Sequence, residues 1–213
     1  DNGEQPAISA WGLGWQIWMD GQEITQFTYF QQVGGQALDP VAVEITYGLE
    51  RILISINNAA AIWDEPWGAD VRYGEIRRTE EYEQSKYFFE TADVTRLRQI
   101  YDLYRAECQA CLAAGLVMPA HDYVLKCSHT FNVLDTRGAI GVTERQAFFG
   151  QMREMARRVA EIWLEQRQAA EYPLLKDAGA ARPAGTGGAQ ASAAPTLAAP
   201  APFLLEIGVE ELP

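Results

Sequence analysis

Glu44, Thr46, Glu50 and Arg51 interrupt the otherwise apolar run VEITYGLERILISI, residues 43–56, and chemistry could reside in those interruptions. An unpaired charge inside a core costs roughly several kcal/mol. Arg51 therefore either faces solvent or lines a cleft that receives an anion. A planar guanidinium pairs with phosphate and can stack on an aromatic ring. Carboxylates hold an ammonium, or a divalent cation with its phosphate-bound waters. Glu23, Thr25 and Gln31 alternate along one strand-like run, and Glu44 and Thr46 lie on another. Gathered on one concave surface beside Arg51, they would suit a nucleotide together with an amine.

The other reactive residues point to packing. Cys108-x-x-Cys111, Cys127-x-His129 and nearby His121 have spacings that a zinc ion could use. All three cysteines, however, fall on apolar helical stripes, where small thiols are ordinary filler, so no zinc site is expected. Neither histidine adjoins a nucleophile in an elbow motif, and no GxxxxGK[ST] or GxGxxG loop occurs. Arg153, Arg157 and Arg158 alternate with acids on one helix, which reads as a solvated face.

The elements that must position these residues follow from period and punctuation. GWQIWMDGQEITQFTYF carries Asp20-Gly21 between two β-branched and aromatic runs, a hairpin signal. Gly34-Gly35 ends the second strand. A third extended run, AVEITY, then passes through Gly48 into a helix. From about residue 79 the period becomes helical. Val94, Leu97, Tyr101, Tyr104, Cys108 and Cys111 form one stripe, Val124, Cys127, Phe131 and Leu134 a second, and Phe148, Met152, Met155, Val159 and Ile162 a third. Pro119 suits a first helical turn, and Gly115 and Gly138 mark the joins. The predicted class is α+β, an antiparallel sheet followed by a helical bundle. Residues 178–202, dominated by Ala, Pro and Gly, read as a linker, and FLLEIGVEELP beyond them reads as a new strand.

Bulk properties narrow the function. The 213 residues are 48% hydrophobic and 22% charged, a globular composition, and carry a net charge of −12. That balance argues against a surface that coats nucleic acid, while leaving room for a local anion pocket. Three cysteines in a chain of this size fit a reducing, cytosolic setting. No apolar run approaches the length of a membrane span.

AWGLGWQIWMDGQEITQFTYFQQVGG followed by EITYGLERI closely resembles the α subunit of the heterotetrameric bacterial glycyl-tRNA synthetases, which are class II enzymes. The resemblance continues through EYEQSKYFFETADV and KCSHTFNVLDTRGAIGVTERQ and covers roughly residues 1–175. It implies a class II catalytic portion over residues 1–78 and a helical domain over 79–177. It further implies that the linker joins the start of a β-subunit-like region at 203–213. GLER then corresponds to class II motif 3. By that resemblance Arg51 stacks on the adenine of ATP and reaches its terminal phosphate. Glu23 takes Mg²⁺ and ATP, with Thr25 and Gln26 beside it. Glu44 and Thr46 receive the glycine amine, Trp11 and Gly14 shape the pocket wall, and Gln31 is counted with them.

Two departures accompany the resemblance. Motifs 1 and 2 lie upstream in the family, so this stretch by itself is expected to be incompetent in adenylation. The family's Asp-Asn-Trp segment reads Asp1-Asn2-Gly3 here, which bears on the shape of the glycine pocket. The implied partners are glycine, tRNA(Gly) mainly through the β region, and a second α region in a homodimer, with no membrane involved. The alternative from another class is a non-catalytic assembly or RNA-binding module derived from a synthetase, which would bind no ATP in response to glycine.

Overall fold

The computed structural model describes residues 2–5 and 9–173. The linker at 178–202 and the strand at 203–213 expected from sequence lie outside them. Strands β1 (Asn2–Gln5), β2 (Ala10–Met19), β3 (Gln22–Val33) and β4 (Gln36–Tyr47) form one antiparallel meander in the order β1-β2-β3-β4. The helices α1 (Leu49–Asn57), α2 (Tyr73–Lys86), α3 (Val94–Ala113), α4 (Val117–Thr136) and α5 (Val142–Ala169) follow. A 3₁₀ turn at Ile62–Asp64 precedes α2, and a π-helical turn at Tyr87–Thr91 joins α2 to α3. The result is an α+β fold. Position 78/79, the division expected from sequence, falls inside α2.

Both tight hairpins have two-residue loops with positive φ throughout, the signature of a type I′ turn. Asp20 and Gly21 have φ of 51° and 77°, and Met19 pairs with Gln22. Gly34 and Gly35 have φ of 57° and 72°, and Val33 pairs with Gln36. Gly34-Gly35 is thus a turn into β4 rather than a stop before a strand at Ala42. The sequence hid this because Asp39-Pro40 interrupts the pattern. Pro40 is tolerated because β4 is an edge strand, and Leu38–Val41 bulge from the ladder between the Gln32–Ala37 and Phe30–Ala42 pairs.

The core sits in the bundle. Leu97, Tyr101 and Cys108 of α3, Val124, Cys127, Phe131 and Leu134 of α4, and Phe148, Met152, Met155 and Val159 of α5 are all buried in one cluster. The remaining stripe residues Val94, Tyr104, Cys111 and Ile162 pack against it, half-buried. Arg137, the C-cap of α4, donates to the carbonyls of Phe89 and Ala92, which fixes the π-helical turn to the bundle. Among the described residues no helix is long and apolar enough to cross a membrane.

The sheet meets the bundle at the β3–β4 turn. A Cβ at Gly34 would lie 2.6 Å from the Ala160 Cβ and 3.3 Å from the Ala156 carbonyl oxygen on α5. Gly34 therefore satisfies two constraints, a left-handed backbone and a close approach of helix to turn. Gly21 has the same backbone requirement with no atom within 4 Å of its would-be Cβ. Gly21→Ala is expected to cost about 1 kcal/mol from backbone strain. Gly34→Ala should cost at least about 2 kcal/mol more through steric overlap. Denaturant unfolding of both variants reads the difference, and equal losses would remove the contact with α5 as a constraint.

Candidate active site

Arg51 occupies the third position of α1. That helix starts where β4 ends: the Gly48 N–H donates to the Ile24 carbonyl of β3 at 2.8 Å, and LERILISIN then supplies an amphipathic turn sequence. The Arg51 Nη1 donates to the Glu23 carbonyl at 3.0 Å and stands 3.9 Å from the Glu23 carboxylate. With side chains 52% and 22% exposed, this ion pair contributes little to stability. The guanidinium thus stays accessible to an anion from solvent.

Register determines which polar residues share a face with it. Residues directly opposite one another in an antiparallel ladder point to the same side. Gly14, Thr28 and Glu44 form one such row, and Gln16, Gln26 and Thr46 form the next. Ile17, Thr25 and Tyr47 lie on the opposite side with Trp15, Phe27 and Ile45. The expectation that Thr25 lines one surface with Glu44 and Thr46 is therefore corrected. Between Ile17–Thr25 and Trp18–Glu23 the ladder skips Ile24, and this bulge reverses the alternation. Glu23 consequently joins the face of Gln26, Thr28, Glu44 and Thr46, while Thr25 keeps the side of Phe27. Gln31 is the skipped residue of a second irregularity, so neither ladder fixes its side.

On the polar face, the Thr46 hydroxyl donates to the Glu44 carboxylate at 2.9 Å, and both residues are exposed. Gly12 and Gly14 contribute no side chain there. At Gly12 a Cβ would come within 2.2 Å of the Tyr29 carbonyl oxygen. A carboxylate held by a hydroxyl can bind a small ammonium group, and Thr28 of β3 stands between this one and Gly14. Trp11, paired with Gln32 past the second irregularity, is 36% exposed and stands off this row. Buried Thr25 uses its hydroxyl internally, donating to the Thr46 carbonyl at 2.7 Å. The opposite face is aromatic, with Trp15 stacked on Phe27 at 5.2 Å and Tyr29 edge-on to both.

Sequence reasoning left Glu50 without a role and passed over Gln16 and Thr28. The row neighbours would have been legible only with the bulge known. The Glu50 carboxylate accepts from the Tyr73 hydroxyl at 2.9 Å. Its own backbone N–H at the start of α1, then that hydroxyl, hold the Glu50 carboxyl below the ordinary carboxylate range, and the same bond raises the Tyr73 phenol.

The thiols lie elsewhere. Burial pushes Cys108 up to about 11 and Cys127 up to about 12, and Cys108 donates to the Ala120 carbonyl inside the bundle. His129 packs edge-on against Phe88. Among the described residues no three His, Cys, Asp or Glu side chains converge on a point that could hold a metal.

A family model described as the glycyl-tRNA synthetase alpha subunit matches residues 1–168. The chain belongs to the glycyl-tRNA synthetase alpha subunit family. It is similar to the "Glycine--tRNA ligase alpha subunit" of Coprothermobacter proteolyticus, with 49% identity over 175 residues, 82% of this chain. The chain spans about 60% of the length of that relative. The segment matched to the synthetase family contains every residue of the polar face, Arg51, and the bundle through Gln168. Within this alpha subunit family member, Thr25 serves the sheet. Thr25→Val is expected to lower stability by about 1 to 2 kcal/mol, because the Thr46 carbonyl loses its buried donor. Denaturant unfolding measures this, and unchanged stability would contradict the assignment.

Proposed function

We propose that the chain is the glycine-activating part of a glycine–tRNA ligase with a class II catalytic sheet. The observation that carries this reading is Arg51, an accessible guanidinium at the rim of the Glu23–Glu44–Thr46 face, within the segment that matches the family. In the proposed reaction a glycine carboxylate oxygen attacks the α-phosphorus of ATP. The bond to the β-phosphate oxygen breaks, and pyrophosphate leaves. Glycyl-adenylate then acylates the terminal ribose of tRNA(Gly) and releases AMP.

Each residue has a physical task in that scheme. Arg51 meets the adenine and terminal phosphate, where a fixed cation stabilises charge on the leaving pyrophosphate. Glu44, oriented by Thr46, takes the glycine ammonium, and Gly14 keeps the wall low. Larger amino acids are excluded sterically, since glycine offers almost no surface to hold. Gln26 and Thr28 border the same space. Mg²⁺ favours one or two carboxylates completed by phosphates and water, and Glu23 supplies one carboxylate beside Arg51. When bound with ATP, the ion would neutralise phosphate charge there.

The name alpha subunit implies a β partner, to which we assign most tRNA contacts, with a second α region completing a homodimer. We also read residues 178–202 as a linker, on their Ala/Pro/Gly composition, and FLLEIGVEELP at 203–213 as the start of β-subunit-like sequence, on its resemblance alone. ATP–pyrophosphate exchange in the full-length protein assembled with its partner tests the central assignment. Exchange is expected to depend on glycine, and Arg51→Ala should lower its rate at least about 100-fold with the fold retained by circular dichroism. Wild-type exchange in that variant would remove Arg51 from the mechanism.

A further inference from the structure

We propose that Tyr73 and Glu65 form a two-point clamp, acting through Glu50 and Asn57, that positions α1 and with it Arg51. This rests on the adenylation reading above. The helix cannot hold itself in place. It has nine residues, too few to be stable alone in water, and none of them is buried. Leu49 and Ile56 are 72% and 71% exposed. Between α1 and α2 lies a cleft of about 450 Å³, lined by Leu53, Ile62, Trp67 and Ile76, so close packing does not fix the helix from that side.

Polar contacts fix it at both ends instead. Near the N-terminus the Tyr73 hydroxyl donates to Glu50, the residue before Arg51. At the C-terminus the Asn57 side-chain amide donates to the Glu65 carboxylate at 2.5 Å. Glu65 is only 6% exposed, so its carboxylate is held where Asn57 must reach it. The two anchors form one unit, because the Tyr73 N–H donates to the Glu65 carbonyl at 2.8 Å. Trp63 and Trp67 pack on the Tyr73 ring at 6.1 and 5.9 Å. Gly74 lies so close to Trp63 that a Cβ would stand 2.8 Å from its carbonyl oxygen. Glu50 and Arg51 thus leave adjacent positions of one helical turn in two directions, one toward the clamp and the other toward Glu23.

Tyr73 begins α2, which runs into the π-helical turn that Arg137 ties to the bundle. The clamp therefore links the helical region to the proposed phosphate site, and Tyr73 and Glu50 are positioning residues that touch no substrate. Kinetics of the assembled full-length enzyme separate positioning from general support. Tyr73→Phe should lower kcat/KM for ATP in glycine-dependent exchange about tenfold, as expected for a misplaced group. In an Arg51→Lys background, where the guanidinium it positions is gone, the same change should cost less than about twofold. Glu50→Ala should reproduce the loss, and Glu50→Gln, which keeps an acceptor oxygen for Tyr73, should restore most of it. Equal losses in both Arg51 backgrounds, or wild-type kinetics in Glu50→Ala, overturn the clamp. Absence of glycine-dependent exchange in the unmodified enzyme would instead overturn the adenylation reading, and the clamp's role with it.

Discussion

The skipped residue Ile24 decides which side chains of this sheet can meet. Leaving the β2–β3 ladder there sends Glu23 to the face of Glu44 and Thr46, whereas Thr25 keeps the side of Phe27 that its regular pairing with Ile17 and Tyr47 gives it. The same Ile24 offers its carbonyl to the Gly48 N–H, the bond from which α1 departs. The residue skipped on the β2 side is thus, on the β4 side, the one beside which the helix that carries Arg51 begins. Had the ladder run without the skip, every β3 side chain beyond it would point to the other side.

The buried core and the candidate site are separated in space. The bundle buries Tyr101, Val124, Cys127, Leu134 and Met152 almost completely, and hydrophobic burial there is the main favourable contribution to folding. The polar face and α1 contribute little of that burial. They are instead held at a few points: Gly34 on α5, Gly48 on Ile24, Tyr73 on Glu50 and Asn57 on Glu65. An accessible carboxylate and an accessible guanidinium are poor core material, so a rigid neighbouring bundle lets them remain exposed without cost to the fold.

The helical stripes were legible because burial on a bundle follows a fixed period, and Leu97, Cys127, Phe131 and Met152 fall where that period puts them. The Asp20-Gly21 turn was legible because few residues tolerate its backbone. The start of β4 was hidden by Pro40, which an edge strand accepts. The partition of the polar face was hidden because a bulge leaves no mark in residue type: Ile24 suits a regular strand equally well. Glu50 stayed unassigned because Tyr73 is distant in sequence and lies beyond an irregular segment. The roles proposed for Glu44, Thr46 and Arg51 come from the family likeness, since spacing could only suggest them.

The most direct measurement is a crystal structure of the assembled enzyme with a non-hydrolysable glycyl-adenylate analogue. The expected result has the glycyl amine within hydrogen-bonding distance of Glu44, on the side of Gly14, Gln26 and Thr28, with Arg51 against the nucleotide. An analogue bound on the side of Trp15, Phe27 and Tyr29, or one that Arg51 does not touch, would contradict it.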